Sequence, residues 1–290
     1  MNPEPNQIIQ RSLTATRLTP FAYPAPSNRP ATAGTLGKIV STARHYSQLV
    51  YAVPSARMRT LFPTALKDQQ FEVAETSMAG QAYCWLTVTS YLDQKTPLPG
   101  ITEEGLELTE YRLHVQRDGQ PYQWLFNTSV GSLGAVGARH LWTLPWHLSA
   151  MEFWLSYQEE ALRYQTYRVR MQSEHLSALW DLRDTGEPLA DFNTRAVPGF
   201  VTNPVVQDCF LRRDGSVGTR QTRFRLTLST RGELLQGRCD WLTRQGWLTS
   251  TELSQPRFVQ LCRSVAFEQE IPRILAPQDD LFPRSLRQAA

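Results

Sequence analysis

The sequence predicts a mainly β protein, built from antiparallel strands with a few short helices. Apolar and polar residues alternate with a period of two in several segments, which are rich in β-branched and aromatic residues. Turn sequences separate these segments, and few stretches have helical periodicity. The alternating segments are 81–91, 106–115, 122–130, 151–157 and 162–171. Many short strands joined by tight turns favour a barrel or a sandwich.

The first half of the chain contains clear turn and helix signals. Asp118-Gly119 lies between two alternating segments and is typical of a β-hairpin turn. Residues 46–51 predict an earlier strand. Residues 55–61 predict a short helix that ends before Pro63, because proline lacks the backbone N–H that a helix needs.

The second half contains two predicted strands and one predicted helix. The strands are expected at 222–229 and 237–242, beside turn-like sequences. The helix is expected at 257–269, before Pro272. Its apolar stripe would consist of residues that recur at helical spacing, namely Phe258, Leu261, Cys262 and Val265.

Length and composition predict one folded domain with a tail at each end. A chain of 290 residues with 41% hydrophobic and 20% charged residues can bury one substantial core. We expect that domain at 41–270. Residues 1–40 are basic and rich in Pro, Ser and Thr, so a disordered tail is expected there, and residues 271–290 are expected to form a C-terminal tail.

Composition and motifs also exclude several classes of protein. No apolar run is long enough to cross a bilayer as a helix. The four cysteines, Cys84, Cys209, Cys239 and Cys262, form no C-x-x-C pair, which is typical of reduced thiols in a cytoplasmic protein. The five histidines include no pair at i, i+4, and no nucleotide-binding loop is present, so neither a metal site nor a cofactor is predicted.

Three segments, in this order and spacing, carry a family resemblance. Residues 45–63 contain His-Tyr, Val-Pro and Leu-Phe-Pro, and residues 112–129 contain RLHV and WLFNTS. Residues 137–147 are GARHLWTLPWH. Together they resemble the acetoacetate decarboxylase-like superfamily over about 43–170, and more weakly to about 270. The resemblance implies an antiparallel closed β-barrel with a ligand site inside it.

The resemblance does not extend to the family's catalytic lysine. In the decarboxylases the third segment ends in Pro-Lys-Lys, and a lysine there forms a Schiff base with a β-keto acid. Here Pro145 is followed by Trp146 and His147, and neither side chain can form an imine. The only lysines of the chain are Lys38, Lys67 and Lys95. The chain is therefore most similar to an uncharacterised branch that lacks the lysine, and we do not expect a Schiff-base decarboxylase.

The resemblance also identifies candidate ligand residues. Arg139 matches an arginine of the family, and a strand glutamate of the family reaches the barrel interior; either Glu107 or Glu110 could have that role here. Strand alternation places Glu110, Arg112 and His114 on one face. If Glu110, Arg112 and Arg139 converge inside the barrel, they would suit a small anionic or carbonyl-bearing molecule. Alternatively, Glu110 and Arg112 form an ion pair that stabilises the fold.

The remaining candidates are aromatic residues and histidines of the third segment. Trp142 and Trp146 would either pack in the core or stack on a ligand. No catalytic residue is assigned with certainty; any acid–base step would use His147 or His140 together with Glu110.

A second function class stays open at this point. The arginine-rich stretch 212–244 and the basic tail could serve an interaction or nucleic-acid-associated protein. Acidic residues offset much of that charge, which argues against nucleic acid and for a solvated, salt-bridged face. A small molecule is thus the expected partner, and a homo-oligomer is compatible with the sequence.

Overall fold

The computed structural model describes residues 38–94, 106–131, 144–189, 205–212, 214–226 and 229–275. Most of these residues lie in strands, which confirms the mainly β class. The strands are β1 (Lys38–Pro54), β2 (Phe71–Val73), β3 (Thr76–Met78), β4 (Gln81–Gln94), β5 (Leu106–Arg117), β6 (Gln120–Val130), β7 (Trp146–Leu148), β8 (Ala150–Gln158), β9 (Arg163–Gln172), β10 (Ser177–Pro188), β11 (Val205–Leu211), β12 (Val217–Leu226), β13 (Ser229–Cys239), β14 (Phe258–Glu270) and β15 (Arg273–Ile274). The helices are α1 (Ser55–Leu61), α2 (Thr64–Asp68), α3 (Asp240–Arg244) and α4 (Ser250–Leu253).

Seven strands close into a barrel. Going around it, the order is β1, β4, β5, β6, β11, β12 and β14, and β14 pairs again with β1. Every neighbouring pair of this circuit is antiparallel except β6 and β11, which are parallel. The predicted closed barrel is therefore confirmed, and the predicted antiparallel arrangement is correct apart from this one pair.

A second sheet grows out of the barrel at β14. The first part of β14 pairs with β13, and the sheet continues through β10 and β9 to β8. Its inner face packs on the outside of the barrel and forms a large core, which we call the sandwich core. Its fully buried members include Tyr51, Met58, Leu86, Tyr111, Phe153, Tyr167, Trp180 and Leu261.

A separate group of buried residues lies inside the barrel. We call it the interior cluster, and it comprises Ala43, Tyr46, Tyr91, Leu106, Leu108, Leu125, Val130, Leu144, Trp146, Phe210, Cys262, Val265 and Phe267. Several barrel strands are thus buried on both faces, with one face in each core. This explains why so many residues of β5 are buried although the strand alternates in sequence.

The two cores settle the orientation of β5. Leu108 belongs to the interior cluster and Tyr111 to the sandwich core. Because side chains alternate along a strand, Glu110 and Arg112 share the interior face with Leu108, and Glu107 lies on the opposite face. Of the two glutamates left open by the sequence, Glu110 is the one that faces the barrel interior.

The predicted helix at 257–269 is wrong, since these residues form strand β14. Leu261 contacts the sandwich core, whereas Cys262 and Val265 belong to the interior cluster. A strand buried on both faces carries apolar residues at many spacings, so it can match a helical pattern by chance. The long antiparallel pairing of β14 with β1 stabilises this segment as a strand.

The predicted tails fall largely outside the described residues, which begin at residue 38 and end at residue 275. Within the predicted C-terminal tail, β15 pairs with β12. No helix in the described part of the chain is long and apolar enough to span a membrane.

Candidate functional site

The centre of the barrel interior holds four charged side chains in a closed ring, the ion-pair ring of Glu110, Arg112, Asp208 and Arg220. Arg112 donates from Nη2 to Glu110 Oε2 at 2.7 Å and from Nε to Asp208 Oδ1 at 3.0 Å. Arg220 donates from Nε to Asp208 Oδ2 at 2.9 Å and from Nη2 to Glu110 Oε1 at 3.1 Å. Each guanidinium thus binds both carboxylates, and each carboxylate binds both guanidiniums.

The position of the ring follows from the strand order. Glu110 and Arg112 lie on β5, Asp208 lies on β11, and Arg220 lies on β12. Because β6 and β11 separate β5 from β12 in the sheet, Arg220 can reach Glu110 only across the inside of the barrel. All four residues are at most 6% exposed.

Burial and pairing both act on the protonation of the ring. Burial alone would lower the pKa of Arg112, but the nearby Asp208 and Glu110 carboxylates outweigh it and raise that pKa. For Asp208, burial acts to raise the pKa, and the attraction of Arg112 and Arg220 outweighs it, so the pKa is lowered. Two guanidiniums and two carboxylates give the ring a formal charge of zero.

A row of interior residues connects the ring to Trp146. On β6, Thr128 is the register partner of Glu110 on one side and of Trp146 of β7 on the other. Register partners point to the same face of a sheet, so Trp146, Thr128 and Glu110 lie side by side along the interior wall. On the other side of Glu110 the row continues with Thr89 of β4.

Several buried polar atoms of the interior make no hydrogen bond to a described residue. Trp146, which is 7% exposed, has such an atom in its indole Nε1. The fully buried Thr128 has one in its Oγ1. Thr87 and Thr222 likewise have buried Oγ1 atoms of this kind. Buried hydrogen-bonding groups are normally satisfied by protein or by ordered water, so each such atom calls for a partner. Two of them belong to register partners, Trp146 and Thr128.

Aromatic rings line the interior beyond the polar row. Tyr91 contacts Tyr46 with ring centroids 6.3 Å apart and Phe267 at 6.2 Å, and Phe224 contacts Phe267 at 6.5 Å. Burial raises the pKa of Tyr91 well above its usual value, so its phenol stays neutral. The interior therefore combines an apolar aromatic wall with neutral hydrogen-bonding groups and a neutral ion-pair ring.

The structure brings together part of the predicted site. Glu110, Arg112 and Trp146 all face the interior, whereas His147 is exposed, on the face of β7 opposite to Trp146. The structure does not bring His147 beside Glu110. Arg139, His140 and Trp142 lie outside the described residues.

Three interior residues were not predicted, namely Thr128, Asp208 and Arg220. Arg220 was grouped with the surface arginines of the 212–244 stretch. The available signal was the position of Asp208 within a short apolar strand, Val205–Leu211, where a lone carboxylate needs a buried cationic partner.

Three other arginines of that stretch form ion pairs with acidic residues. Arg212 pairs with Asp214, Arg231 with Glu187, and Arg244 with Asp240. Trp247 is buried in the sandwich core. These contacts favour the salt-bridged face over a nucleic-acid surface. Among the described residues, no three His, Cys, Asp or Glu side chains are grouped as metal ligands would be.

Comparison with known proteins gives matches to solved structures. No protein-family model matches the chain, and no curated protein matches its sequence. The enduracididine biosynthesis enzyme MppR complexed with pyruvate matches with a TM-score of 0.53 and 11% identity, over 90% of this chain and 99% of that one. Acetoacetate decarboxylase from Legionella pneumophila matches with a TM-score of 0.54 and 12% identity, over 91% and 98% of the two chains.

A third structure agrees with these two. An acetoacetate decarboxylase-like enzyme from Sphingomonas wittichii RW1 matches with a TM-score of 0.52 and 9% identity, over 82% of this chain and 93% of that one. At such low identity the likeness concerns the fold. The closed barrel, with its second sheet packed outside, is the acetoacetate decarboxylase-like fold.

Proposed function

We propose that the protein binds a small organic molecule inside the barrel, beside Trp146 and Thr128. The observation that carries this proposal is that two register partners on the interior wall, Trp146 and Thr128, each have a buried polar atom, Nε1 and Oγ1, that no described residue satisfies. A buried group without a hydrogen bond costs about 1–3 kcal/mol. A ligand oxygen placed between the two atoms would accept from both and recover that free energy.

The surroundings suit an organic ligand. Leu108, Val130 and Phe210 share the interior cluster with Trp146, so a ligand there would bury apolar surface while its oxygen meets the two donors. MppR, which has a similar fold, is described in complex with pyruvate, a small organic molecule that carries a ketone and a carboxylate. Arg139 and Trp142 stay candidate ligand residues from the sequence.

We further propose that the ligand is held without a covalent bond to the protein. Trp146 follows Pro145 where the resemblance implies the Schiff-base lysine, and an indole nitrogen is no nucleophile for a carbonyl. Lys67 is exposed on α2. The chain contains no lysine after Lys95, so β5, β6, β7 and every later strand lack an amine side chain.

Native mass spectrometry of the protein purified from its own host tests the proposal. We expect a species heavier than the bare chain by the mass of a small molecule, which disappears when the protein is denatured. The same preparation of Trp146→Ala, which removes the donor and much of the wall, should carry less of it. Trp180→Ala is the matched control, because Trp180 is equally buried but belongs to the sandwich core.

Two results would contradict the proposal. One is a bare chain in every preparation, together with no binding of small carbonyl compounds added in solution. The other is a bound molecule that Trp180→Ala removes and Trp146→Ala leaves in place.

A further inference from the structure

The ion-pair ring restricts the charge of any molecule bound beside it. This inference rests on the proposed function and concerns the chemical class of the ligand. Arg112 uses Nε and Nη2 to bind Asp208 and Glu110, and Arg220 uses the same two atoms of its own guanidinium to bind the same carboxylates. The Nε–Nη2 edge of both arginines is therefore occupied by the protein itself.

A ligand carboxylate at this place would meet an unfavourable balance of charge. Counted over the described residues, the ring is neutral, so an added anion would bring a net negative charge into this buried part of the barrel. Burying a charge that has no partner is strongly unfavourable. An arginine that kept Glu110 and Asp208 would share its single positive charge with a third carboxylate, and one that released either residue would leave that carboxylate uncompensated instead.

The groups that lack partners point to a different ligand. Trp146 Nε1 is a neutral donor, and Thr128 Oγ1 is a neutral hydroxyl that donates or accepts. Such groups match the oxygen of a ketone, an ester or an amide, which accepts hydrogen bonds and carries no charge. We infer that the barrel selects an uncharged carbonyl compound over the carboxylate of the same size. Of the two ligand types expected from the sequence, the ring favours the carbonyl-bearing one.

Calorimetric titration with matched pairs of probes tests this inference. Acetoacetamide and acetoacetate differ by an amide in place of a carboxylate, and pyruvamide and pyruvate differ in the same way. At pH 7 we expect each amide to bind at least about tenfold more tightly than its acid. A hydrogen bond to the protein would improve the affinity of the acid by about tenfold at most, and the cost of burying its unpaired charge is larger than this gain. Tighter binding of the acids would overturn the inference and leave the proposed function intact.

Glu110→Gln changes the charge of the ring with little change of shape. The variant ring holds two guanidiniums and one carboxylate, so its formal charge rises from zero to plus one. We expect the ratio of acid affinity to amide affinity to rise by about tenfold or more, because the positively charged ring attracts a ligand carboxylate. An unchanged ratio of acid to amide affinity in folded Glu110→Gln would contradict the inference. If the variant does not fold, the comparison of amide with acid in the unaltered protein decides alone.

Trp146→Phe tests the donor separately from the ring. Phenylalanine keeps the aromatic wall but has no N–H, so amide affinity should fall about tenfold. Trp180→Phe removes an equally buried Nε1 from the sandwich core and should leave the affinity unchanged. Equal losses in both variants would contradict the assignment of the donor. If neither acid nor amide binds in either pair, the proposed function fails together with this inference.

Discussion

Arg220 of β12 and Glu110 of β5 form an ion pair across the barrel interior, with 3.1 Å between Nη2 and Oε1. The two residues are 110 positions apart in sequence, and two strands, β11 and β6, lie between theirs in the sheet. Together with Arg112 and Asp208 they connect opposite walls of the barrel, so the buried charges of the interior also help to hold the barrel closed.

Asp208→Asn should destabilise the protein strongly, although the two side chains have nearly the same shape. The substitution removes one charge from the buried ring and leaves two guanidiniums with a single carboxylate. Removing one partner of a buried ion pair costs about 3–5 kcal/mol, which urea unfolding followed by circular dichroism would measure. Glu233→Gln is the control, because Glu233 pairs with Arg183 at the exposed surface, and its urea midpoint should stay close to that of the unaltered protein.

The contradicting result is an Asp208→Asn midpoint no lower than that of Glu233→Gln. A double variant adds a second check. Asp208→Leu with Arg220→Met removes one charge of each sign, so it should be less destabilised than the two single variants added together.

The stability of the protein should fall as pH is lowered from neutral, in part because of His114. Burial, then repulsion by Arg112, lowers the pKa of His114 from 6.5 to about 3 in the folded protein, although Asp208 acts in the opposite direction. Below pH 6.5 the unfolded chain therefore binds a proton that the folded protein does not take up until about pH 3. Unfolding is favoured over that range, by about 2 kcal/mol between pH 7 and pH 5.

Urea unfolding at pH 7, 6 and 5 measures this contribution. His114→Gln should lose less stability over the range than the unaltered protein, by about 2 kcal/mol. His45, whose pKa burial lowers to about 4, acts in the same direction and should maintain part of the dependence in the variant. His175→Gln removes an exposed histidine and serves as the control. Equal slopes for His114→Gln and the unaltered protein would falsify the assignment.

The protein should form no Schiff base. Incubation with acetoacetate and borohydride reduces an imine to a stable amine, which intact mass spectrometry detects as an added mass. We expect no such mass, since Trp146 stands after Pro145 and all three lysines precede residue 96. A reduced adduct mapped to any lysine by peptide digestion would show that an amine reaches the ligand and would remove the main argument for non-covalent binding.

Gly218→Ala should destabilise the barrel through a clash with Phe210. The two residues are register partners on β12 and β11, and a methyl group at Gly218 would overlap the Phe210 ring. Overpacking of a core costs about 1–3 kcal/mol, which thermal or urea unfolding would detect. Phe210→Leu should relieve the clash, so the cost of Gly218→Ala should be smaller in that background. An equal cost in both backgrounds would mean that the ring is not the cause.

Strand alternation was sufficient to predict three consecutive strands of the barrel wall, β4, β5 and β6. Segments 106–115 and 122–130, with Asp118-Gly119 between them, correspond to β5 and β6 and their turn. It failed at β14, because this strand carries apolar residues on both of its buried faces and so lacks the alternation on which the prediction depends. The parallel pairing of β6 with β11 is also not local, and no turn sequence could have indicated it.

Arg220, the member of the ion-pair ring on β12, was beyond prediction for a related reason. Glu110 and Arg112 are two residues apart, and the alternation put them on one face correctly. Arg220 and Arg223, by contrast, lie on one strand, and only Arg220 is buried. Which of the two arginines faces inward depends on the register of β12 with β11, a long-range contact that the residue types do not reveal.

Fluorine NMR of protein labelled with 5-fluorotryptophan tests the central claim, that a small organic molecule binds inside the barrel beside Trp146. The resonances of Trp146 and Trp180 are assigned by their loss in Trp146→Phe and Trp180→Phe. Titration with acetoacetamide, or with the molecule released from the native protein, should shift the Trp146 resonance saturably and leave that of Trp180 in place. A Trp146 resonance that stays unchanged while the molecule binds would place the ligand elsewhere and contradict the claim.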